Sequence, residues 1–476
     1  MRSSSDVRTW LSSNRSDVAV GTGLLVVAWW AAFWRIDVAT VLVDEPVYSR
    51  AGEFWIQGDF ERNAEHPPLG KFAFGLAQQV FGNGIDTSRL VSGFAFVLTT
   101  VVVWRLGIEL FSRSAGIVAA IAWIALPKSV GSNEVGTNGD RLERFAMLEP
   151  LVTLWMAVAL WFGWRLTRHD ARTRDAVGLG VAVGLAAATK LIGPVVAVSI
   201  AGFLLLTVGW HLLRPLMIAG VTSMVTFGIT YLPLGTDAVQ VLRDMVSINR
   251  QHAEAGHQVF VNGETTRFPP WYTELWYHYD AEGLLATLAL VAAFVVMWRR
   301  PQYRHAALYV TAFVAVVYLV LSVSTVELRH YRYVAWPGFA LVIGAAVSTI
   351  DRERVRHTVG VAVIAAVFAV IGVSSMVDLA RIEPTDYAAL ERELTDRGYD
   401  RGDEQLVGVF GPMGTVQQYL RGWQLRNGAT PVDASVHQIV LVDVTYTVRF
   451  PDPEILEPIE VVELGRLDAY LLAPPG

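Results

Sequence analysis

Long apolar runs alternate along the chain with short basic connections and long mixed ones, and this rhythm is the strongest pattern in it. About 20 consecutive apolar residues are needed to cross hydrocarbon as a helix. Runs of this kind lie at 18–36, 90–110, 115–127, 147–165, 176–189, 191–210, 214–234, 282–298, 305–323, 334–350 and 358–377. They predict a polytopic α-helical membrane protein with about 11 transmembrane helices. The apolar stretch 176–210 would be about 52 Å long as one helix, too long for one span. Lys190, Gly193 and Pro194 near its middle divide it, which puts Lys190 in a tight turn at one membrane face.

The basic residues orient these spans, because cytoplasmic connections are enriched in Lys and Arg. Arg2, Arg8 and Arg15 precede the first span, and Arg105 and Arg113, Arg165 to Arg174, Arg214, Arg299 to Arg304 and Arg352 to Arg356 fall on the same side. The expected topology is a multi-pass protein of the plasma membrane, with the N-terminus cytoplasmic and the C-terminus extracytoplasmic. The first span lacks a small-residue cleavage site after it and reads as a retained helix rather than a signal peptide. The connections expected outside, at 37–89, 128–146, 235–281 and 324–333, are long and rich in acids and aromatics, where function tends to sit.

Beyond 377 the pattern changes. Short apolar runs at 406–410, 439–442, 459–462 and 469–472 read as strands, and 384–397 and 413–421 as helices. The division expected is 1–377 as a transmembrane catalytic domain and 378–476 as a small soluble extracytoplasmic α/β domain. This tail carries 17 acidic residues against 8 arginines. Gly411 and Gly414 follow a strand without the GxGxxG spacing, so a plain turn is the better reading than a nucleotide loop.

Composition sharpens this picture at three points. A 53% hydrophobic content with 17% charged residues is far from a soluble domain, where charge runs near 25%. With no cysteine, disulfides and thiolate chemistry are excluded, and a net charge of −6 gives no sign of a nucleic-acid partner. Only three of the 38 basic residues are lysines, Lys71, Lys128 and Lys190, and all fall in connections expected outside. That runs against the charge bias and suggests anion binding.

Candidate chemistry gathers in those connections. Asp44 and Glu45 follow the first span and precede an aromatic, amphipathic stretch at 47–55 suited to the interface. In Glu65-His66-Pro67-Pro68-Leu69-Gly70-Lys71 the prolines open a helix. They set Lys71 in its first turn, where an ammonium adds to the helix N-terminus as an anion site. Arg89 stands at the mouth of the second span. Arg141, Arg144 and Glu149 lie where the fourth begins, and Glu327, Arg329, His330 and Arg332 form a charged turn between two later spans. His252, His257 and His278 are spaced too irregularly to signal zinc.

Asp44-Glu45, His66-Pro-Pro-Leu-Gly-Lys71, Ser88-Arg89-Leu90 and Arg144-Phe-Ala-Met-Leu-Glu149 together resemble the prokaryotic type of the protein O-mannosyltransferase family, polytopic glycosyltransferases of the GT-C fold. The likeness is good over about 18–200 and only topological beyond. Glu149 departs from the family, which more often has Asp there, and the tail is not the β-trefoil insert of eukaryotic members. The resemblance implies an inverting glycosyltransferase that moves a sugar, mannose or another hexose, from a polyprenyl or dolichyl phosphate to a hydroxyl on a protein or lipid-linked glycan. It implies Asp44 as the base and Glu45 as its partner. His66, Lys71, Arg89, Arg144, Glu149, Lys190, Arg329 and Arg332 would serve the donor phosphate. Some relatives of this scaffold hold a divalent cation at the acids, so Asp44 and Glu45 are also the candidate metal ligands. Two alternatives stand beside this reading: an aminoarabinose-type lipid glycosyltransferase, and a secondary transporter, which would place its charges near the bilayer midplane on broken helices.

Overall fold

The computed structural model describes residues 15–38, 41–42, 44–128, 141–168, 172–257, 259–348, 355–382, 387–399, 406–410, 416–417, 419–420, 423–427, 437–443, 458–465 and 467–472. Its helices are α1 (Arg15–Phe33), α2 (Glu45–Ile56), α3 (Pro68–Phe81), α4 (Ile85–Leu110), α5 (Arg113–Ala125), α6 (Leu148–Arg165), α7 (Thr173–Thr189) and α8 (Val195–Phe203). They continue with α9 (Leu213–Ile229), α10 (Ala238–Ala255), α11 (Thr273–Trp298), α12 (Arg304–Ser322), α13 (Trp336–Val347), α14 (Val355–Ala380) and α15 (Tyr387–Asp396). Among the described residues, an apolar helix answers each of the runs read from the sequence, and six are long and apolar enough to cross a membrane on length and composition alone. The protein is a polytopic membrane protein.

Burial sorts the helices. Nearly every residue of α13 is buried, and so is most of α4, whereas α9 and α14 leave Met217, Val221, Met224, Val363 and Val370 exposed, as lipid-facing helices do. Small residues let the central helices close on one another. A Cβ added to Gly107 of α4 would come within 2.7 Å of the Gly116 backbone of α5.

Three amphipathic helices complement the apolar ones. The first two, α2 and α3, pack through Gly52 and Gly75, whose backbones are so near that a Cβ on Gly75 would stand 2.2 Å from the Gly52 carbonyl oxygen. The third, α10, buries only Val241 and Met245 on one edge. Its apolar positions recur at helical spacing.

From Tyr387 onward a separate core forms around Leu390, Val407, Ile439, Leu441 and Ala469. A five-stranded sheet of order β4-β3-β5-β7-β6 carries it, with β3 (Leu406–Phe410) parallel to β4 (Gln424–Asn427) and β5 (His437–Asp443). The strands β7 (Leu467–Leu471) and β6 (Glu460–Leu464) add antiparallel. Strand β4 is absent from the sequence reading, since Gln424-Leu-Arg-Asn427 has a single apolar residue. A two-stranded hairpin, β1 (Val259–Val261) and β2 (Glu264–Thr266), also escaped it, each strand being three residues long. The helix expected at 413–421 is described only at 416–417 and 419–420, and the Gly411 to Gly414 turn lies outside the described residues.

Candidate active site

A cavity of about 430 Å³ opens where six segments meet: the start of α2, the 57–67 loop, the start of α6, the Lys190 turn, the end of α10 and the 320–334 connection. Asp44, Tyr48, His66, Glu149, Lys190 and Tyr331 give it a polar wall. Leu191, Ile192, Val195, Val320 and Leu321, at the ends of spanning helices, give it an apolar one. Asn249, His252 and His257 face it from α10 and the residues that follow.

Local chemistry explains how each polar group arrives there. Asp44 is the N-cap of α2, with a proline opening the helix, yet its side chain makes no capping bond. The following residue behaves oppositely. Glu45 is fully buried and accepts Arg89 Nε at 2.8 Å, Arg89 Nη2 at 2.9 Å, Leu42 N at 2.9 Å and Ala146 N at 2.6 Å. A carboxylate offers about four acceptor positions, so Glu45 has none left for a substrate or a metal.

His66 is presented by a loop folded back on α3. The Lys71 ammonium donates to the Asn63 and His66 carbonyls at 2.7 and 2.6 Å and sits 3.6 Å from the centre of the Trp55 ring. The His66 ring lies 3.2 Å from the Tyr48 hydroxyl, and burial, aided by the Lys190 and Lys71 charges, holds its pKa well below the usual histidine value. Glu149, in the first turn of α6, pairs with Lys190, which also lies 3.9 Å over the Tyr331 ring. His330 Nε2 stands 3.6 Å from Glu149 Oε1; burial depresses the His330 pKa despite that carboxylate. Glu149 Oε2 and His330 Nε2 are buried without a hydrogen-bond partner among the described residues.

The structure therefore brings Asp44, His66, Glu149 and Lys190 together at the cavity, and places the other candidates away from its lining. Glu45 and Arg89 bind each other, and Arg89 also donates to the Ile36 carbonyl at 2.7 Å. Lys71 closes the 57–67 loop. Arg144 caps the end of α1 through the Ala31 and Arg35 carbonyls at 3.2 and 2.9 Å. Arg329 pairs with Asp280, and Arg332 donates to the Tyr277 carbonyl with Glu282 at 3.6 Å. Lys128, third of the lysines, donates to the Trp123 and Leu126 carbonyls at the end of α5, beside Glu143. Among the described residues no group of three or more His, Asp or Glu side chains is arranged to hold a metal ion. His278 sits apart on α11, against Phe339. The sequence reading missed Tyr48, Tyr331 and Asn249; the helical spacing of α10 was the signal that would have brought Asn249 and His252 to one edge.

The fold and this arrangement define a polytopic membrane protein with a polar cavity at the ends of its spanning helices. Residues 65–232 match the family model described as dolichyl-phosphate-mannose-protein mannosyltransferase. The chain is 25% identical over 297 residues, 59% of its length and 49% of the relative's, to the undecaprenyl phosphate-alpha-4-amino-4-deoxy-L-arabinose arabinosyl transferase of Erwinia tasmaniensis. A second such transferase, from Sodalis glossinidius, is 25% identical over 301 residues, 60% of this chain and 50% of the relative. The chain thus spans about half the length of the curated relatives it matches. Among solved structures, ArnT from Cupriavidus metallidurans bound to undecaprenyl phosphate superposes with a TM-score of 0.62 at 15% identity, covering 97% of this chain and 100% of that one. The Archaeoglobus fulgidus oligosaccharyltransferase superposes at 0.55 and 12% identity, covering 90% and 69%. The family resemblance and the fold class read from the sequence are borne out.

Proposed function

We propose that this chain is an inverting glycosyltransferase that moves a sugar from a polyprenyl-phosphate donor to a hydroxyl acceptor at the outer face of the membrane. The observation that carries this reading is the two-sided cavity, with carboxylate, lysine and histidine on one wall and the apolar ends of spanning helices on the other. A lipid-linked phosphosugar needs both walls at once. The likeness to ArnT in its undecaprenyl-phosphate complex supports the same donor class. In orientation, the N-terminus is cytoplasmic, and the cavity and residues 378–476, a folding unit of their own, are extracytoplasmic.

Asp44 is the base. Its carboxylate is unspent on capping and faces the cavity, so it takes the acceptor proton as the acceptor oxygen attacks the anomeric carbon from the side opposite the phosphate. The bond from that carbon to the phosphate oxygen breaks, and the leaving phosphate needs charge stabilisation rather than a general acid. Lys190 supplies it, with Glu149 and Tyr331 fixing the ammonium. Lys71, Arg89 and Arg144 act on the scaffold that holds these groups. The matched family name favours a hexose such as mannose, while the curated relatives favour a 4-amino-pentose. The transporter alternative draws no support from this fold.

Both sugars are distinguished by one experiment. The purified protein in liposomes is given polyprenyl-phosphate hexose or polyprenyl-phosphate aminopentose together with an extract of the source cells' membranes as the supply of acceptor hydroxyls, and release of polyprenyl phosphate is followed. One donor should turn over, and Asp44→Asn should slow its single-turnover rate roughly 10²–10⁴-fold with donor affinity kept. Absence of release from either donor, or an Asp44→Asn protein at wild-type rate, would overturn the proposal.

A further inference from the structure

We propose that Tyr419, in the C-terminal sheet domain, is a positioning residue for Asp44, so that this domain completes the active site rather than merely accompanying it. The inference rests on the reading of Asp44 as the base.

The stretch 35–45, which ends in Asp44 and Glu45, is fastened from two directions. From the helical bundle, Arg144 donates to the Arg35 carbonyl, Arg89 to the Ile36 carbonyl, and Glu45 accepts from Leu42 N. From the C-terminal side, the Arg35 Nη1 donates to the Ile382 carbonyl at 2.5 Å, and Val41 N donates to the Tyr419 hydroxyl at 2.7 Å. Val41 is itself buried, so its N–H has little access to water if that acceptor is lost. The Tyr419 ring is held in turn: it stacks on Tyr387 with centroids 6.2 Å apart and planes 17° from parallel. Tyr387 belongs to the core of the sheet domain.

Tyr419 thus carries the rigidity of a folded domain to a backbone atom three residues before the base. It does not line the cavity and touches no reacting atom. Its effect on rate passes through the placement of the Asp44 carboxylate, and small displacements of a reacting group are costly: about 1 Å can cost roughly 100-fold. Burial pushes the Tyr419 pKa up to about 12, so the hydroxyl keeps its proton at working pH while its oxygen accepts from Val41.

Tyr419→Phe keeps the stacked ring and deletes only the hydroxyl. We expect the single-turnover rate to fall roughly 10- to 100-fold, with donor affinity changed by less than about twofold. Val462→Ala, on the edge strand β6 of the same domain, serves as the control for simple loss of domain stability. It should lower the melting temperature at least as much as Tyr419→Phe and leave the rate alone. In an Asp44→Asn background Tyr419→Phe should cost almost nothing further, because the group it positions has already been disabled. A Tyr419→Phe enzyme at wild-type rate, or a Val462→Ala enzyme equally slowed, overturns the positioning role while leaving Asp44 as the base. An Asp44→Asn enzyme at wild-type rate overturns the base, and the positioning role with it.

Discussion

Asp44 and Glu45 are neighbours in the chain and opposites in the fold. Glu45 has every acceptor position filled, two by Arg89 and two by backbone N–H groups, and is wholly buried. Asp44 caps a helix by position without spending its carboxylate on the cap, and faces the cavity. The same contrast separates two buried lysines. Lys71 donates to two carbonyls and lies on a tryptophan ring, closing a loop; Lys190 lies on the cavity wall, where its partner Glu149 still has an unsatisfied oxygen. In a polytopic protein with many buried charges, residue type alone does not separate fasteners from working groups. Hydrogen-bond accounting does, because a filled group has nothing to offer a substrate, whereas a buried orphan atom is costly unless something comes to meet it.

The largest expected effect breaks the closed side of this contrast. Glu45→Gln keeps the shape but takes the close countercharge from the buried Arg89, leaving it the exposed Asp86 carboxylate at 3.7 Å, and turns one acceptor into a donor facing other donors. Removing one partner of a buried ion pair costs roughly 3–5 kcal/mol, a large share of the 5–15 kcal/mol that holds a typical protein together. Yield of folded protein and melting temperature in detergent should both drop sharply. Replacing both partners by apolar residues should recover only part, since Leu42 N and Ala146 N would still lack their acceptor. A Glu45→Gln protein as stable as the wild type would show that the pair is not a fastener.

Next in size is a test of the two lysines. Lys190→Met together with Glu149→Gln removes both charges from the wall and strands neither. Donor affinity should weaken by a charge-assisted contact of roughly 1.5–3 kcal/mol, with a modest change in melting temperature. Lys71→Met should do the reverse, lowering stability as the Asn63 and His66 carbonyls lose their donor, with a smaller effect on affinity. Equal losses of donor affinity in both proteins would show that the two lysines do the same work.

Which of these roles the sequence could carry depends on the range of the interaction. The apolar runs mark the spans because lipid imposes a length and a composition on each helix independently of its neighbours. The two prolines at 67 and 68 mark the start of α3 for an equally local reason. Asp44, His66, Glu149 and Lys190 were legible as candidates, but so were Glu45, Lys71 and Arg89. What sorts them is contact between residues far apart in sequence: Arg89 reaches back 44 residues to Glu45, and Tyr419 reaches Val41 across 378. No periodicity records such pairings. The kink in α11 is an intermediate case: the apolar run was read as starting at 282, while the helix starts at Thr273 and bends at Gly283, where a positive φ of 78° suits glycine.

The smallest expected effect concerns protons on the open side. His66 and His330 both have pKa values pushed below the histidine norm of about 6.5 by burial, so the folded protein keeps them neutral where an unfolded chain would begin to charge. The sign follows from linkage. Above about pH 6.5 neither state binds the proton and the stabilisation is complete. As pH falls below that value the unfolded chain takes up protons that the folded chain refuses, so stability declines until the depressed folded values are passed. The melting temperature in detergent should therefore fall between about pH 7.5 and 5.5, and fall less steeply in His66→Gln. Because His330 contributes in the same direction, His66→Gln combined with His330→Gln should flatten the profile further. An undiminished slope in the double variant would mean that these rings take up protons in the fold as readily as in the unfolded chain. Below about pH 6.5 they would then add positive charge beside Glu149 and Lys190, and the assignment of a single lysine to the donor phosphate would have to be given up.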